Sequence, residues 1–309
     1  MKKAVFLFDG QGAFRPGIGK ELCAKYHEAD EIIEKCSEIL EYNIKDWLWG
    51  EEAKETSSKT SIAQPAISAV SLAYAAVLKN LGVTSEISLG HSLGEITAVL
   101  HCRIVSFEDG MKIIKKRGEL MEKGGGQGTM MAVIKVDQKT LEKICADVSA
   151  EIGEPVVVAN INAPNQIVIS GSKEGIKKAA QNIVKQHGRG IPLRVGGAWH
   201  SPYLKDAANE FAGFLDTIQF NKPESPFYSV VEQKTLDDPA VIKDSLKKQM
   251  LSQVNWVTAI KNLNQAGHKL FLEIGPSKIL KDLVGKIEPA AKVDSTALYT
   301  DMETLAANL

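Results

Sequence analysis

Gly90-His91-Ser92-Leu93-Gly94 is the stretch whose reading decides the fold. It has the form G-x-S-x-G, which sets a serine on a sharp strand-to-helix turn with glycines on both sides to permit the bend. Ser85-Glu86-Ile87-Ser88-Leu89 before it ends as a short strand, and Glu95-Ile96-Thr97-Ala98-Val99-Leu100 after it opens a helix. Such a turn exposes the serine hydroxyl and aims the first amide N–H groups of a helix at whatever bonds to it. That geometry suits acyl chemistry and makes Ser92 a candidate nucleophile. The competing reading is a glycine-rich βα turn whose serine only caps the helix.

The chain around this turn has 309 residues, 44% hydrophobic and 24% charged, enough for one large globular domain and a smaller one. Lys+Arg 37 against Asp+Glu 38 leaves a net charge of -1, so no global field favours nucleic acid or an anionic membrane. The apolar run Ala4–Phe8 is cut short by Asp9, too early for a signal peptide or a membrane span. No other apolar run is expected to approach membrane length. Cys23, Cys36, Cys102 and Cys145 form no C-x-x-C pair. Neither a zinc site nor a disulfide framework is expected, no metal is called for, and a reducing cytoplasm fits.

Working outward, Ala4-Val5-Phe6-Leu7-Phe8 has the unbroken apolar character of a buried parallel strand and ends in the tight loop Asp9-Gly10-Gln11-Gly12. Helical patterns run to about Leu48 and again from Pro65 to Leu81. The region from Thr129 to Val195 reads strand (Met130–Val136), helix (Gln138–Ala150), strand (Val156–Asn162), strand (Gln166–Ser170), helix (Lys173–Gln186) and strand (Gly190–Val195). That order is βαββαβ, the ferredoxin-like plan. Gly124-Gly125-Gly126 and Gly196-Gly197 bracket it, so it reads as an insertion in a larger α/β body. From Ser201 the chain returns to helix, and a last strand, Lys269–Ile274, ends in Gly275-Pro276.

A serine hydroxyl needs a base, and histidine is the usual one near neutral pH. His91 adjoins the serine, but neighbouring side chains diverge on a sharp turn, so it reads as packing or hydrogen-bonding under the elbow. His27 and His187 lie in charged surface stretches, and His268 sits in a turn with nothing nearby to recommend it. His101 ends the helix after the elbow, where a cation suits the helix dipole. His200 lies in Gly196-Gly197-Ala198-Trp199-His200-Ser201-Pro202, where the small region hands back to the large one. Clefts between domains are where sites form, and Trp199 can wall off water there. The alternative is a linker histidine capping the next helix.

Ser106-Phe107-Glu108-Asp109 opens a helix as a capping box. In that helix Arg117 falls among Ile113, Ile114, Leu120 and Met121 on the apolar face. Arginine keeps its charge when buried, so Arg117 requires an anionic partner. That partner is an internal Asp or Glu, or a substrate carboxylate held by two parallel hydrogen bonds. Gln249 faces inward beside Ile242, Leu246 and Met250. Its amide must be hydrogen-bonded, either orienting His200 or satisfying a loop.

These pieces, in this order, resemble the malonyl-CoA:acyl-carrier-protein transacylase family, which includes acyltransferases of fatty-acid and polyketide synthesis. The matching segments are Gly10-Gln11-Gly12, Gly90-His91-Ser92-Leu93-Gly94-Glu95, Arg117-Gly118, Asn162-Ala163-Pro164, His200-Ser201, Gln249 with Val254-Asn255-Trp256, and Glu273-Ile274-Gly275-Pro276. The resemblance implies an α/β-hydrolase-like large subdomain (residues 1–126 and 199–309) with an inserted ferredoxin-like small subdomain (residues 127–198). It implies Ser92 as nucleophile and His200 as general acid/base, with the Gln11 and Leu93 amides as oxyanion hole. It further implies Arg117 on the malonyl carboxylate, Gln249 orienting His200 in place of a triad acid, and Asn162 lining the cleft.

The implied reaction is ping-pong transfer of malonyl from malonyl-CoA to the phosphopantetheine thiol of an acidic acyl-carrier protein. No bound cofactor, nucleic acid or membrane takes part, and a monomer suffices. The basic segment Lys173–Arg194 would meet the carrier, unless it is only a solvated helix face. Two rival readings are an editing acyl hydrolase of the same fold and a non-catalytic carrier-protein docking module. This chain departs from the family pattern at Asp9, where proline is usual, and at Ala13-Phe14, where Ser-Gln is usual. Trp199 replaces a smaller residue, which favours malonyl over methylmalonyl by crowding an α-methyl group, and Tyr228–Asp238 matches the family poorly.

Overall fold

The run Ala4–Phe8 is apolar at every position because both faces of its strand are covered. Ala4, Phe6 and Phe8 join one hydrophobic core, and Val5 and Leu7 join another on the opposite face. In the computed structural model the described residues are 2–51, 53–56, 59–126, 128–193 and 195–309, with the side chains of 55 and 56 excepted. Gln127, at the expected boundary of the small subdomain, and Arg194, at the end of the basic segment, lie outside them.

Strand β1 (Lys2–Phe8) leads through a 3-10 turn (Gln11–Ala13) to α1 (Lys20–Lys25), α2 (His27–Leu40), α3 (Ile44–Trp49), α4 (Ala53–Thr56) and α5 (Thr60–Asn80). Next come β2 (Val83–Gly90), α6 (Leu93–His101) and α7 (Phe107–Gly125). The βαββαβ unit follows as β3 (Gly128–Ile134), α8 (Gln138–Ile152), β4 (Val156–Ala163), β5 (Gln166–Ser172), α9 (Lys173–Lys185) and β6 (Arg189–Pro192). A 3-10 turn (Pro202–Leu204), α10 (Lys205–Asp216), β7 (Phe227–Ser229), β8 (Lys234–Leu236), α11 (Pro239–Gln249) and β9 (Val254–Asn255) come next. The chain then forms α12 (Trp256–Gln265), β10 (Leu270–Ile274), α13 (Ile279–Ile287), β11 (Lys292–Ser295) and α14 (Met302–Asn308).

The large sheet has the order β11-β10-β1-β2-β7-β8, parallel throughout except for the antiparallel β7–β8 edge. Phe8 is level with Gly90 on one side and Ile274 on the other. The carboxyl ends of the three central strands therefore finish together, where ligands bind in open parallel sheets. The small sheet has the order β6-β3-β5-β4-β9, and α8 and α9 share a core with it. Its first four strands follow the expected plan. The fifth, β9, comes from the C-terminal part and pairs parallel with β4 at Asn160 and Ile161, so the sheet extends beyond the 127–198 segment.

Helix α5 begins at Thr60 rather than at Pro65. A proline would normally open a helix, but here the first turn is held by α7: the Glu122 carboxylate accepts from Ser61 N at 2.8 Å and Ser61 Oγ at 2.7 Å. This 21-residue helix is also the one, among the described residues, long and apolar enough to cross a membrane, which corrects the expectation that no run approached that length. Of its most apolar window, 78% is buried inside the fold, as for a core helix. All four cysteines are free thiols.

Candidate active site

Both glycines of the elbow are sterically required. A Cβ on Gly90 would overlap the backbone of Gly94, and one on Gly94 would overlap the Phe8 carbonyl. The turn is thus clamped between β1 and α6, and Ser92 is held at φ 53°, ψ -103°. A non-glycine residue there stores strain, which structures keep mainly at functional positions. Ser92 makes no capping hydrogen bond to α6. Its hydroxyl turns instead to His200 Nε2, 2.8 Å away, and accepts from Arg117 Nη2 at 3.1 Å. The capping reading of this serine is therefore set aside.

His200 is also held at positive φ, 54°, and is buried. Its Nδ1 lies 2.9 Å from the Ser252 carbonyl, and a carbonyl only accepts. The ring proton therefore sits on Nδ1, which leaves Nε2 bare to receive the Ser92 proton. Burial, with the Arg117 charge and then His91 behind it, pulls the His200 pKa down to about 3. At neutral pH the ring is an uncharged base. It does not cap the following turn, whose N-cap Ser201 makes no side-chain cap bond either.

Arg117 is fully buried on α7. Its Nε donates to Gln249 Oε1 at 3.0 Å, its Nη1 to Gln64 Oε1 at 2.9 Å and its Nη2 to Ser92 Oγ. All three acceptors are neutral, so the internal Asp or Glu anticipated as one option does not pair with it directly. Glu95 acts on it only through space, and burial lowers the Arg117 pKa to about 10. The guanidinium stays charged at neutral pH.

Gln249 helps to hold His200 through its backbone, beside that of Ser252, rather than through its amide. Its side chain does not reach His200, whose Nδ1 is taken by the Ser252 backbone. Gln249 Nε2 donates instead to the Ser92 carbonyl at 2.7 Å and to Glu95 Oε2 at 3.1 Å, while Oε1 steadies Arg117. Glu95, also buried, accepts from Ser229 Oγ at 2.9 Å and Val230 N at 2.8 Å. Burial raises its pKa, and these hydrogen bonds oppose the rise. Gln64, Glu95 and the Ser252 carbonyl are site components that the sequence reading missed. Gln64 and Glu95 carried the same signal as Arg117, a polar residue inside an apolar helical stretch. A backbone carbonyl carries none.

The Leu93 amide follows the serine at the first position of α6, and the Gln11 amide lies in the 3-10 turn after β1. Among the described residues neither donates to a protein acceptor. The Gln11 side chain is tied down by Thr60 Oγ1 at 3.1 Å and Gln64 Nε2 at 3.3 Å. On the side of the small sheet, His91 Nε2 meets Asn162 Oδ1 at 2.8 Å, and the imidazole stands edge-on to Trp256. Burial lowers the His91 pKa, so it too is neutral. Trp199 packs beside Gly125 at the end of α7, and its indole N–H has no partner among the described residues.

Two other histidines differ from expectation. His101 is not a cation at a helix end: it packs against Phe6 and Phe8, and burial, helped by Arg103 and Lys79, lowers its pKa to about 4. His268 is not isolated, since its Nδ1 lies 3.2 Å from Glu86. Among the described residues no group of His, Cys, Asp or Glu could hold a metal ion.

A hydroxyl whose proton has a neutral imidazole to go to, at the mouth of a parallel sheet, belongs to the class of serine-dependent acyl-transfer proteins with an α/β-hydrolase-like body. The sequence model of the acyl transferase domain matches residues 5–302, and the chain belongs to that family. It is 35% identical over 309 residues to the malonyl CoA-acyl carrier protein transacylase of Bacillus subtilis, covering 99% of this chain and 96% of that one. The crystal structure of the same-named protein from Clostridium perfringens superposes with TM-score 0.92 at 33% identity, over 100% of this chain and 97% of that one. A malonyl-transacylase solved in complex with its type II PKS acyl-carrier protein reaches TM-score 0.95 at 26% identity over 100% of both chains.

Proposed function

We propose that this chain transfers a malonyl group from malonyl-CoA to the phosphopantetheine thiol of an acyl-carrier protein, through a covalent malonyl-Ser92 intermediate. One observation carries the reading: Ser92 Oγ lies at once 2.8 Å from the bare nitrogen of a neutral His200 and 3.1 Å from the buried Arg117 guanidinium. In the first half-reaction His200 Nε2 takes the hydroxyl proton as Oγ bonds to the thioester carbonyl carbon. The oxyanion that forms is met by the Gln11 and Leu93 amides. Collapse breaks the C–S bond, and the proton passes from His200 to the departing coenzyme A sulfur. In the second half-reaction the carrier thiol gives its proton to His200 and attacks the ester, and Ser92 leaves with the proton returned to it. No metal or cofactor enters these steps.

Arg117 selects the acyl group by holding its free carboxylate, and Gln249 keeps the guanidinium and the elbow in register. His91 and Asn162 brace the elbow from the small subdomain, which we take as residues 127–198 set into a body of residues 1–126 and 199–309. Trp199, beside His200, crowds an α-methyl branch and favours malonyl over methylmalonyl. An acidic carrier would approach the basic segment, where Lys173, Lys177, Lys185 and Arg189 are exposed while Lys178 pairs with Glu151. The four free thiols suit a reducing cytoplasm. The test is Ser92→Ala with radiolabelled malonyl-CoA. Loss of all protein-bound label is expected, and label that survives the substitution would overturn the assignment.

A further inference from the structure

Asp9 follows β1 directly before the Gly10–Gln11 turn and is 1% exposed. Glu273, opposite Leu7 on β10, is 0% exposed. Between them stands one hydroxyl: Ser277 Oγ lies 2.8 Å from Asp9 Oδ1 and 2.7 Å from Glu273 Oε1. A serine hydroxyl has a single proton to donate, and an ionised carboxylate can only accept. With both acids ionised, one of these two contacts would set lone pair against lone pair in a buried site. With one acid protonated, every contact is satisfied. The carboxyl O–H donates to Ser277 Oγ, and Ser277 O–H donates to the other carboxylate. The Ile279 amide takes the remaining Oγ lone pair at 3.2 Å.

We propose that Asp9 and Glu273, bridged by Ser277, keep one shared proton in the native state, and that this carboxyl–hydroxyl–carboxyl chain positions the Gln11 amide for the acyl transfer proposed above. Asp9 is a positioning residue rather than a catalytic one, since it acts through the turn it anchors. The anchoring is specific. Ser277 N reaches Asp9 Oδ2 at 3.2 Å, Lys281 N reaches Glu273 Oε2 at 2.7 Å, and a Cβ on Gly275 would overlap the Asp9 carboxyl. On its other side the turn rests on the elbow: a Cβ on Gly10 would press on the His91 carbonyl, and His91 N donates to the Phe8 carbonyl at 3.1 Å. A shift of Asp9 is thus passed to both halves of the oxyanion pocket.

The charged and titratable groups around the pair do not neutralise it. Arg15 is spent on the Pro276 carbonyl at 2.7 Å. Tyr74 of α5 senses Asp9 only weakly, after burial, Cys23 and Glu21, and β11 with its following turn presents the hydroxyls of Ser295 and Thr296. His91 on the elbow side is neutral. Burial first, and then the Glu273 carboxyl beside it, push the Asp9 pKa well above its ordinary value, in the same direction as the hydrogen-bond count.

The proposal is tested by two readouts on the full chain. The infrared carbonyl band of a protonated carboxyl, taken as wild type minus Asp9→Asn at neutral pH, reads the proton without reference to activity. A positive band, lost equally in Glu273→Gln, is expected, and a flat difference spectrum overturns the shared proton. Rapid-quench formation of malonyl-enzyme reads the positioning. Asp9→Ala should lower kcat by about tenfold or more, with KM within about twofold, and Asp9→Asn should restore most of the loss. An Asp9→Ala enzyme with wild-type kcat, or an Asp9→Asn enzyme as slow as Asp9→Ala while folded by circular dichroism, overturns the positioning role. Failure of wild type itself to form malonyl-enzyme would sink the transfer reading and leave the infrared result standing by itself.

Discussion

Arg117→Ala separates a selecting residue from a merely structural one. A guanidinium has five N–H donors. Three are engaged, by Gln249, Gln64 and Ser92. One N–H remains on each terminal nitrogen, and two parallel N–H groups are what a carboxylate takes from an arginine. Truncating the buried partner of a charged, hydrogen-bonded pair costs about 2–5 kcal/mol. At about 1.4 kcal/mol per decade, malonyl-enzyme formation should slow by about 30- to 4000-fold. An acetyl group offers no carboxylate. It feels only the lost hydrogen bond to Ser92 and the loosened glutamines, about 1 kcal/mol, or roughly fivefold.

The preference for malonyl over acetyl should therefore collapse by about sixfold or more. The assay is single-turnover acylation from each coenzyme A ester, read by intact-protein mass spectrometry. It should be run above pH 7, because Arg117 is the second cause of the low His200 pKa. Its removal raises that pKa and moves the acid limb of the rate upward. Equal losses for the two esters in a variant of unchanged melting temperature would refute the selecting role and leave Arg117 as scaffold.

Other tests are shorter. His101 is neutral in the fold, with its pKa near 4, but titrates at its ordinary 6.5 when unfolded. The unfolded chain then takes up the proton first, and stability is lost as pH falls below 6.5. His101→Phe, packed on the same rings, should lose about 2 kcal/mol less than wild type between pH 6.5 and 5 in urea titrations. An identical pH slope in both proteins would mean that His101 is already charged in the fold. Glu95→Gln puts an amide N–H against either Gln249 Nε2 or the donors Ser229 and Val230. A stability loss of about 2–3 kcal/mol and slower acylation are expected, measured by denaturation and rapid quench. A neutral result would mean that the buried carboxyl is already protonated.

The elbow was legible in the sequence because its glycines answer to sterics: no other residue fits between β1 and α6 at those positions. The βαββαβ unit was legible because its strands and helices are long enough for their periods to repeat, so its boundaries came within a few residues. Strands β7, β8, β9 and β11 run only two to four residues and carry no period. Arg117 was legible as a misplaced charge, but its partners were not, since an amide turns to whichever neighbours the tertiary fold supplies. Gln249 shows this most clearly. An inward glutamine was expected to orient the imidazole or satisfy a loop, and it serves the imidazole with its backbone, next to the Ser252 carbonyl on Nδ1. That left the side-chain amide to bind the arginine, the elbow and Glu95.

The electrostatics of the site argue for what it selects. His91 and His200 are held neutral by burial, and Glu95 is occupied by four described hydrogen bonds away from ion-pair contact with Arg117. Arg117 is thus a buried cation whose direct partners are all neutral. A buried charge whose counter-charge, Glu95, acts only through space is costly, and a carboxylate bound beside it relieves that cost. A carboxylated acyl group supplies one, and supplies it within reach of the hydroxyl that it must acylate. Water or an acyl group without a carboxylate does not. On the function proposed above, selectivity for malonyl rests on this charge as well as on the shape of the cleft, and the same charge adds to burial in keeping His200 neutral.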